Sequence, residues 1–264
     1  MLAKLRTLFA PPTPEPECPV AFVPEGQRIY AIGDIHGRLD LFEQLLDKII
    51  ADDATRGPSD TWLVLLGDLV DRGPESRGVV ERAIELAQGG KVRILAGNHE
   101  EMLLGSLENT ETLRHFLRHG GKETLFSYGL SIEEYSRSTL ETLFDRMGEL
   151  IPERHLAFIR SMENQIVFGD YLFVHAGIRP GVPLDAQIVP DMRWIRREFL
   201  DHDAPHSHVV VHGHSISDEP VIRKNRIGID TGAFASGRLT ALGLEGGERW
   251  FVTALIAPSE PAAA

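Results

Sequence analysis

The residues of this chain that could do chemistry fall in short glycine-flanked clusters. Gly67-Asp68-Leu69-Val70-Asp71-Arg72-Gly73 follows the apolar run Trp62-Leu63-Val64-Leu65-Leu66 and brings two carboxylates and a guanidinium close together in the chain. Glycine beside the acids lets the backbone turn sharply and approach a ligand, and the carboxylates supply hard oxygen donors. Alone, such a cluster is also what an ordinary strand-to-helix turn looks like. The same design returns in Gly33-Asp34-Ile35-His36-Gly37, Gly97-Asn98-His99-Glu100, His175-Ala176-Gly177 and His212-Gly213-His214. Carboxylate, imidazole and amide oxygen together, with no thiolate, suit two borderline divalent cations such as manganese, iron or zinc.

The flanking segments explain how such residues could meet. Arg28 to Ile32, Leu63 to Leu66 and Lys91 to Leu95 read as short buried strands, each ending on a cluster and followed by a helical pattern; Leu39, Phe42, Leu45, Leu46 and Ile49 carry the first. Repeated strand-helix-strand units imply parallel strands with right-handed crossovers and ligands at their carboxyl ends. Thr110 to Met162 has helical periodicity broken at Gly120-Gly121 and Gly129, which predicts a cap beside the sheet. Asn164 to Phe168 and Tyr171 to Val174 read as a hairpin turned by Gly169-Asp170. His208 to Val211 reads as a strand, and Val221 to Arg223, Arg226 to Ile229 and Arg238 to Leu244 as an antiparallel meander.

Composition narrows the class. At 264 residues and 42% hydrophobic content, the chain can bury a full core. Its 27 basic and 39 acidic residues leave a net charge of -12, which argues against a general nucleic-acid binder and suits partners with basic surface. The single cysteine, Cys18, excludes an intramolecular disulfide and points to a cytoplasmic location. Met1 to Ala10 is too short and interrupted for a signal-peptide core or a membrane span. Pro11 to Pro24 holds six prolines and should stay extended. The expected organisation is an N-terminal arm over residues 1–26, a catalytic domain over 27–257 and a tail over 258–264.

Taken in order, the five clusters resemble the signature motifs of phosphoprotein phosphatases within the calcineurin-like metallophosphoesterases, over roughly Arg28 to Leu244. Gly120-Gly121, Thr124-Leu125 and Ser127-Tyr128-Gly129 look like the bacterial and bacteriophage lambda branch. The resemblance implies an α/β fold in which mixed β-sheets pack as a sandwich flanked by helices. It implies that Asp34 and His36 bind one metal, that Asp68 bridges both, and that Asn98, His175 and His214 bind the second. His99 would be the general acid, oriented by Asp71, which would favour its imidazolium. Arg72 and an arginine in the Trp194 loop would hold phosphate; spacing selects Arg196 over Arg193 and Arg197. Glu100 would support the site from behind or start a helix.

The implied function is hydrolysis of phosphoserine and phosphothreonine monoesters on a phosphorylated protein or peptide, with phosphotyrosine as a further substrate. Attack would come from a water activated by a dinuclear metal site. A rival enzyme with similar metal motifs is a dinucleoside polyphosphate hydrolase such as the symmetrical diadenosine tetraphosphatase. A non-catalytic regulatory binding protein on the same fold is a further rival, and the intact ligand set and His99 speak against it.

Overall fold

The structure is a computed structural model and describes residues 20–256. Strand β1 (Gln27–Ile32), helix α1 (Leu39–Thr55), β2 (Asp60–Leu65), α2 (Ser76–Gln88), β3 (Val92–Ile94) and α3 (Asn98–Ser106) form the expected repeated unit. β1, β2 and β3 pair in parallel. Helices α4 (Thr110–Phe116), α5 (Lys122–Ser127), α6 (Ile132–Arg137), α7 (Leu140–Leu150) and α8 (Glu153–Arg160) follow as the cap. Then come β4 (Gln165–Phe168) and β5 (Tyr171–Val174), a hairpin with Phe168 opposite Tyr171, and the short helices α9 (Val189–Trp194) and α10 (Arg197–Leu200). The chain closes with β6 (Val209–His212), β7 (Val221–Ile222), β8 (Arg226–Gly228), α11 (Ala233–Ser236), β9 (Arg238–Glu245) and β10 (Glu248–Leu255).

Two five-stranded mixed sheets result, ordered β10-β9-β1-β2-β3 and β4-β5-β6-β8-β7. The expected meander is therefore split between them. β7 and β8 pair antiparallel in the second sheet, whereas β9 crosses to the first and runs antiparallel to β1 and β10. Strand periodicity sorts the core. Ile29 and Ala31 of β1 face Ile166, Phe173, Val211 and Ile227 between the sheets, while Tyr30 and Ile32 face Leu41, Phe42, Leu45 and Ile49 of α1 on the outer side. Leu172, Val174 and Val210 pack outward against Met192 and Phe199. Buried Arg28 ties β1 to Asp53 and Glu245 at 2.7 and 2.9 Å.

The boundary of the arm needs correcting at its end. Ala21 and Val23 are buried in the inter-sheet core, the Phe22 amide donates to Asp170 Oδ2, and the Val23 amide donates to the Gly246 carbonyl. Residues 20–24 thus dock on the domain ahead of β1, because alternate apolar residues can use the sheet rim even in a proline-rich segment. Residues 1–19, with Cys18, and residues 257–264 lie outside the described residues. Among the described residues no helix is long and apolar enough to cross a membrane.

Candidate active site

Six parallel strands end on the same rim. β1 delivers Asp34 and His36, β2 delivers Asp68, Asp71 and Arg72, β3 delivers Asn98 and His99, β5 delivers His175, β6 delivers His214, and β8 delivers Asp230. Asp34, His36, Asp68, Asp71, Asn98, His99, His175, His214 and Asp230 are all buried.

The backbone here is strained in a way that the other described residues are not. His36, Asp68, Asp71, Arg72 and His214, at φ of 46°, 50°, 74°, 69° and 61°, are the non-glycine residues at positive φ among the described residues. Each such residue costs on the order of 1–3 kcal/mol and persists only where its surroundings over-determine it. The surroundings do so through the amides. His36 N–H donates to the Asp68 carbonyl at 2.8 Å, Asp68 N–H to Glu100 Oε2 at 2.8 Å, and Asp71 N–H to Ser76 Oγ and Thr124 Oγ1 at 3.0 and 2.9 Å. Arg72 N–H donates to the Gly120 carbonyl at 3.0 Å and His214 N–H to Asp34 Oδ2 at 3.0 Å.

Glycine makes room for the two innermost carboxylates. A Cβ on Gly97 would stand 2.1 Å from Asp68 Oδ1, and one on Gly213 would stand 2.0 Å from Asp34 Oδ1. The histidines are oriented from behind. His36 Nδ1 lies 2.8 Å from the Val70 carbonyl, His175 Nδ1 2.8 Å from the Leu66 carbonyl and His99 Nδ1 2.7 Å from Asp71 Oδ2. A carbonyl can only accept, so Nδ1 carries the proton in His36 and His175 and Nε2 turns its lone pair to the centre. Arg72 spans the rim, its Nη1 2.8 Å from His36 Nε2 and its Nη2 2.9 Å from His99 Nε2. His175 Nε2 lies 3.0 Å from Asn98 Oδ1 and 3.4 Å from Asp68 Oδ1.

These residues fit divalent cations. Ligand atoms of His36, Asp68 and His99 lie within 4.8 Å of one another, as do those of Asp68, His175 and His214, so Asp68 is common to both groups. His214 Nε2 is buried without a hydrogen-bond partner, an orphan that a cation would satisfy. Burial pushes the carboxyls of Asp34 and Asp68 up, and Asp34 rises further against Asp230 and Asp68. Burial holds His175 down to about 4 and His214 to about 2, keeping both neutral as ligation requires. Crowded carboxyls beside neutral imidazoles are an environment that positive charge stabilises.

His99 departs from expectation in its protonation. Burial is the largest influence and holds it at about 4, with Arg72 acting in the same direction and Asp68 opposing. The expected gain of an imidazolium against Asp71 is thus outweighed. Asp71, itself pushed well up by burial, is gripped by Thr124 Oγ1 donating to Oδ1 at 2.6 Å.

Of the three arginines around Trp194, Arg193 is engaged by Glu101 and Asn164 at 3.0 and 2.7 Å. Arg196 is exposed, and its charge contributes to the depression of His214. One contributor was missed in the sequence, and one expected in a supporting role does more than expected. Asp230 follows β8 in Ile229-Asp230-Thr231-Gly232, the same pattern of strand, acid and glycine that marks the other clusters, and burial pushes its carboxyl up. Glu100 is an organiser: its buried carboxylate collects the amides of Gly97, Asp68, Leu69 and Val70.

A two-sheet α/β sandwich with acids, imidazoles and an arginine at its parallel strand ends defines a metal-dependent phosphoesterase. The chain belongs to the calcineurin-like phosphoesterase family, which matches residues 27–235, and it is a metallophosphoesterase hydrolase; the family implies a dinuclear divalent metal site, and the two ligand groups that share Asp68 fit one. It is 28% identical over 230 residues to the asymmetrical bis(5'-nucleosyl)-tetraphosphatase PrpE of Anoxybacillus flavithermus (strain DSM 21510 / WK1), covering 80% of this chain and 88% of that one. It is 37% identical over 154 residues to the symmetrical bis(5'-nucleosyl)-tetraphosphatase of Acidovorax sp. (strain JS42), covering 58% of this chain and 44% of that one. The crystal structure of a putative diadenosine tetraphosphatase shares the fold at a TM-score of 0.60 and 24% identity, covering 89% of this chain and 98% of that one. That of a cold-active protein tyrosine phosphatase does so at 0.55 and 19%, covering 92% and 87%.

These relatives match the rival reading, a dinucleoside polyphosphate hydrolase, better than the protein-phosphatase reading. The expectation of a phosphorylated protein or peptide as substrate is overturned by them. The physical reason for the miss is that metal motifs encode attack on phosphorus and are shared by enzymes with different leaving groups.

Proposed function

We propose that the chain hydrolyses dinucleoside tetraphosphates by splitting a phosphoanhydride, releasing a nucleoside monophosphate and a nucleoside triphosphate. The observation that carries this is the match to the asymmetrical tetraphosphatase, which spans most of both chains.

In this reading Asp34, His36 and Asp68 hold one divalent cation, and Asp68, Asn98, His175 and His214 hold the other. Manganese is the first choice. When bound, such a pair offsets charge on the attacked phosphoryl group and acidifies water enough for attack at neutral pH. Arg72 supplies a planar fork for phosphate oxygens that the cations leave uncovered, and substrate would displace it from the two imidazole nitrogens it now meets. Arg196, exposed and close enough to depress the pKa of His214, is assigned to phosphate as well. His99, with Asp71 holding Nδ1, is assigned to the leaving oxygen; neutral at rest, it serves as an acid once the charge of bound phosphate draws a second proton onto Nε2, a demand that is small for a phosphate leaving group. Asp230 acts on Asp34 from behind.

The test is product analysis of diadenosine tetraphosphate incubated with manganese-loaded protein, beside p-nitrophenyl phosphate. AMP and ATP in equal amounts are expected. Hydrolysis of p-nitrophenyl phosphate without nucleotide release would overturn the reading. Arg196→Ala should raise KM for the dinucleotide about tenfold without changing metal content. If Arg193→Ala does so instead, the arginine has been misassigned.

A further inference from the structure

Beside the metal site lies an open cleft of about 760 Å³ with Arg72 on its floor. One wall is the turn Leu117–Gly121 between α4 and α5, where Gly120 at φ +103° abuts Arg72 so closely that a Cβ would stand 2.7 Å from its Cγ. This contact and the hydrogen bond from Arg72 N–H to the Gly120 carbonyl fix the turn against the active site. The turn and the start of α5 then present Arg118 and Lys122 to the cleft. Arg118 is exposed and has no carboxylate partner among the described residues, and Lys122 meets Glu123 only at 3.5 Å with half its side chain open. The opposite wall is apolar. Phe234 sets its ring 4.8 Å from the Arg72 guanidinium and 5.5 Å from the His36 ring, and Ile216 beside it is 53% exposed.

Lightly compensated cations facing an apolar wall are unusual on a chain with a net charge of -12. A phosphate monoester would be fully engaged by the metal site and Arg72, leaving this cleft without a role. A substrate with further phosphates and a base would use both walls.

We infer that the cleft is the subsite for the part of a nucleoside polyphosphate that is not being attacked. Arg118 and Lys122 hold phosphates beyond the scissile bond, and Phe234 and Ile216 receive the base. The inference rests on the dinucleotide reading and adds to it the residues that select a polyphosphate over a monoester. The cations act by charge-assisted hydrogen bonds, and the apolar wall by removing ring surface from water.

The experiment compares kcat/KM on diadenosine tetraphosphate and on p-nitrophenyl phosphate for the parent and for the double variant Arg118→Ala/Lys122→Ala, at equal manganese loading. The ratio of the two values should fall about tenfold or more in the double variant, chiefly through KM for the dinucleotide. Arg118→Glu should lower it further. Ile216→Ser should raise KM for diadenosine tetraphosphate about threefold more than it raises the Ki of inorganic tripolyphosphate, which has no base to lose. If the parent cleaves the dinucleotide and the ratio in the double variant stays within about twofold, the cleft assignment is overturned and the dinucleotide reading stands. An equal loss on both substrates also overturns it, since the residues would then serve the metal site as a whole. A parent that cleaves only p-nitrophenyl phosphate overturns both.

Discussion

The strongest mechanical demand on this site falls on Glu100, and Glu100→Gln tests it. The carboxylate is buried and accepts four backbone N–H groups: Gly97 and Asp68 on Oε2, both at 2.8 Å, and Leu69 and Val70 on Oε1 at 2.7 and 3.3 Å. Burial and the Asp68 charge push its pKa up, yet four donors leave no position for a carboxyl proton, so we assign it as ionised. Glutamine keeps the shape and turns an NH2 against two of those donors whichever way it flips. Hydrogen bonds to a charged group contribute about 1.5–3 kcal/mol each, so losing two costs about 3–6 kcal/mol. Relief from burying a charge offsets part of this, and we expect about 3 kcal/mol net. Against a typical domain stability of roughly 5–15 kcal/mol, that is a large fraction. The assay is urea unfolding of the metal-free protein with Glu101→Gln as control, because Glu101 is half exposed and its pair with Arg193 should contribute no more than about 1 kcal/mol. A Glu100→Gln midpoint equal to that of the control would refute the account, and with it the claim that this carboxylate holds Asp68 in its left-handed conformation.

Two further outcomes follow from the same geometry. Gly213→Ala should lose one equivalent of metal and most activity, since its Cβ would meet Asp34 Oδ1 at 2.0 Å; retention of two equivalents in metal analysis would show that the loop yields and that Asp34 is not confined there. His99→Asn should lose about 10²–10⁴-fold on an alkyl phosphate, the usual worth of a positioned acid, and much less on diadenosine tetraphosphate, whose leaving phosphate has a second pKa of about 6 and departs as a stable anion. Equal losses on both would remove the proton-donor role.

The parts of the fold that the sequence revealed were those governed by local rules. Apolar runs ending on Asp34, Asp68 and Asn98 announced parallel strands, because consecutive strand-helix-strand units have few other ways to bury both faces. The pairing of β9 was not legible. Arg238–Glu245 follows β8 by a short helix, and what sends it to the other sheet is the vacant edge of β1, a long-range fact with no trace in the local pattern. Asp230 was hidden for a related reason: β8 is three residues long, too short to announce the acid at its end as a strand-terminal ligand cluster. Residues 20–24 were masked by proline composition, which describes a segment's own preference and is silent about an available sheet rim.

Function was legible to a different depth. Each residue read as metal-facing lies on the rim because acids, imidazoles and glycine turns are needed there whatever phosphate compound is bound. In the proposed reading, substrate choice belongs to the surrounding walls, built here from the Leu117–Gly121 turn, Ile216 and Phe234, of which Gly120-Gly121 alone stood out in the sequence, and as a branch feature without assigned chemistry. The cap is therefore the segment that supplies Arg118 and Lys122, the two cations that line that cleft with Arg72. In the proposed reading the catalytic rim and the specificity wall meet at Gly120, where one backbone contact holds Arg72 against the turn that carries Arg118. That shared glycine couples the two functions, since any change that moves the turn would shift the phosphate fork with it.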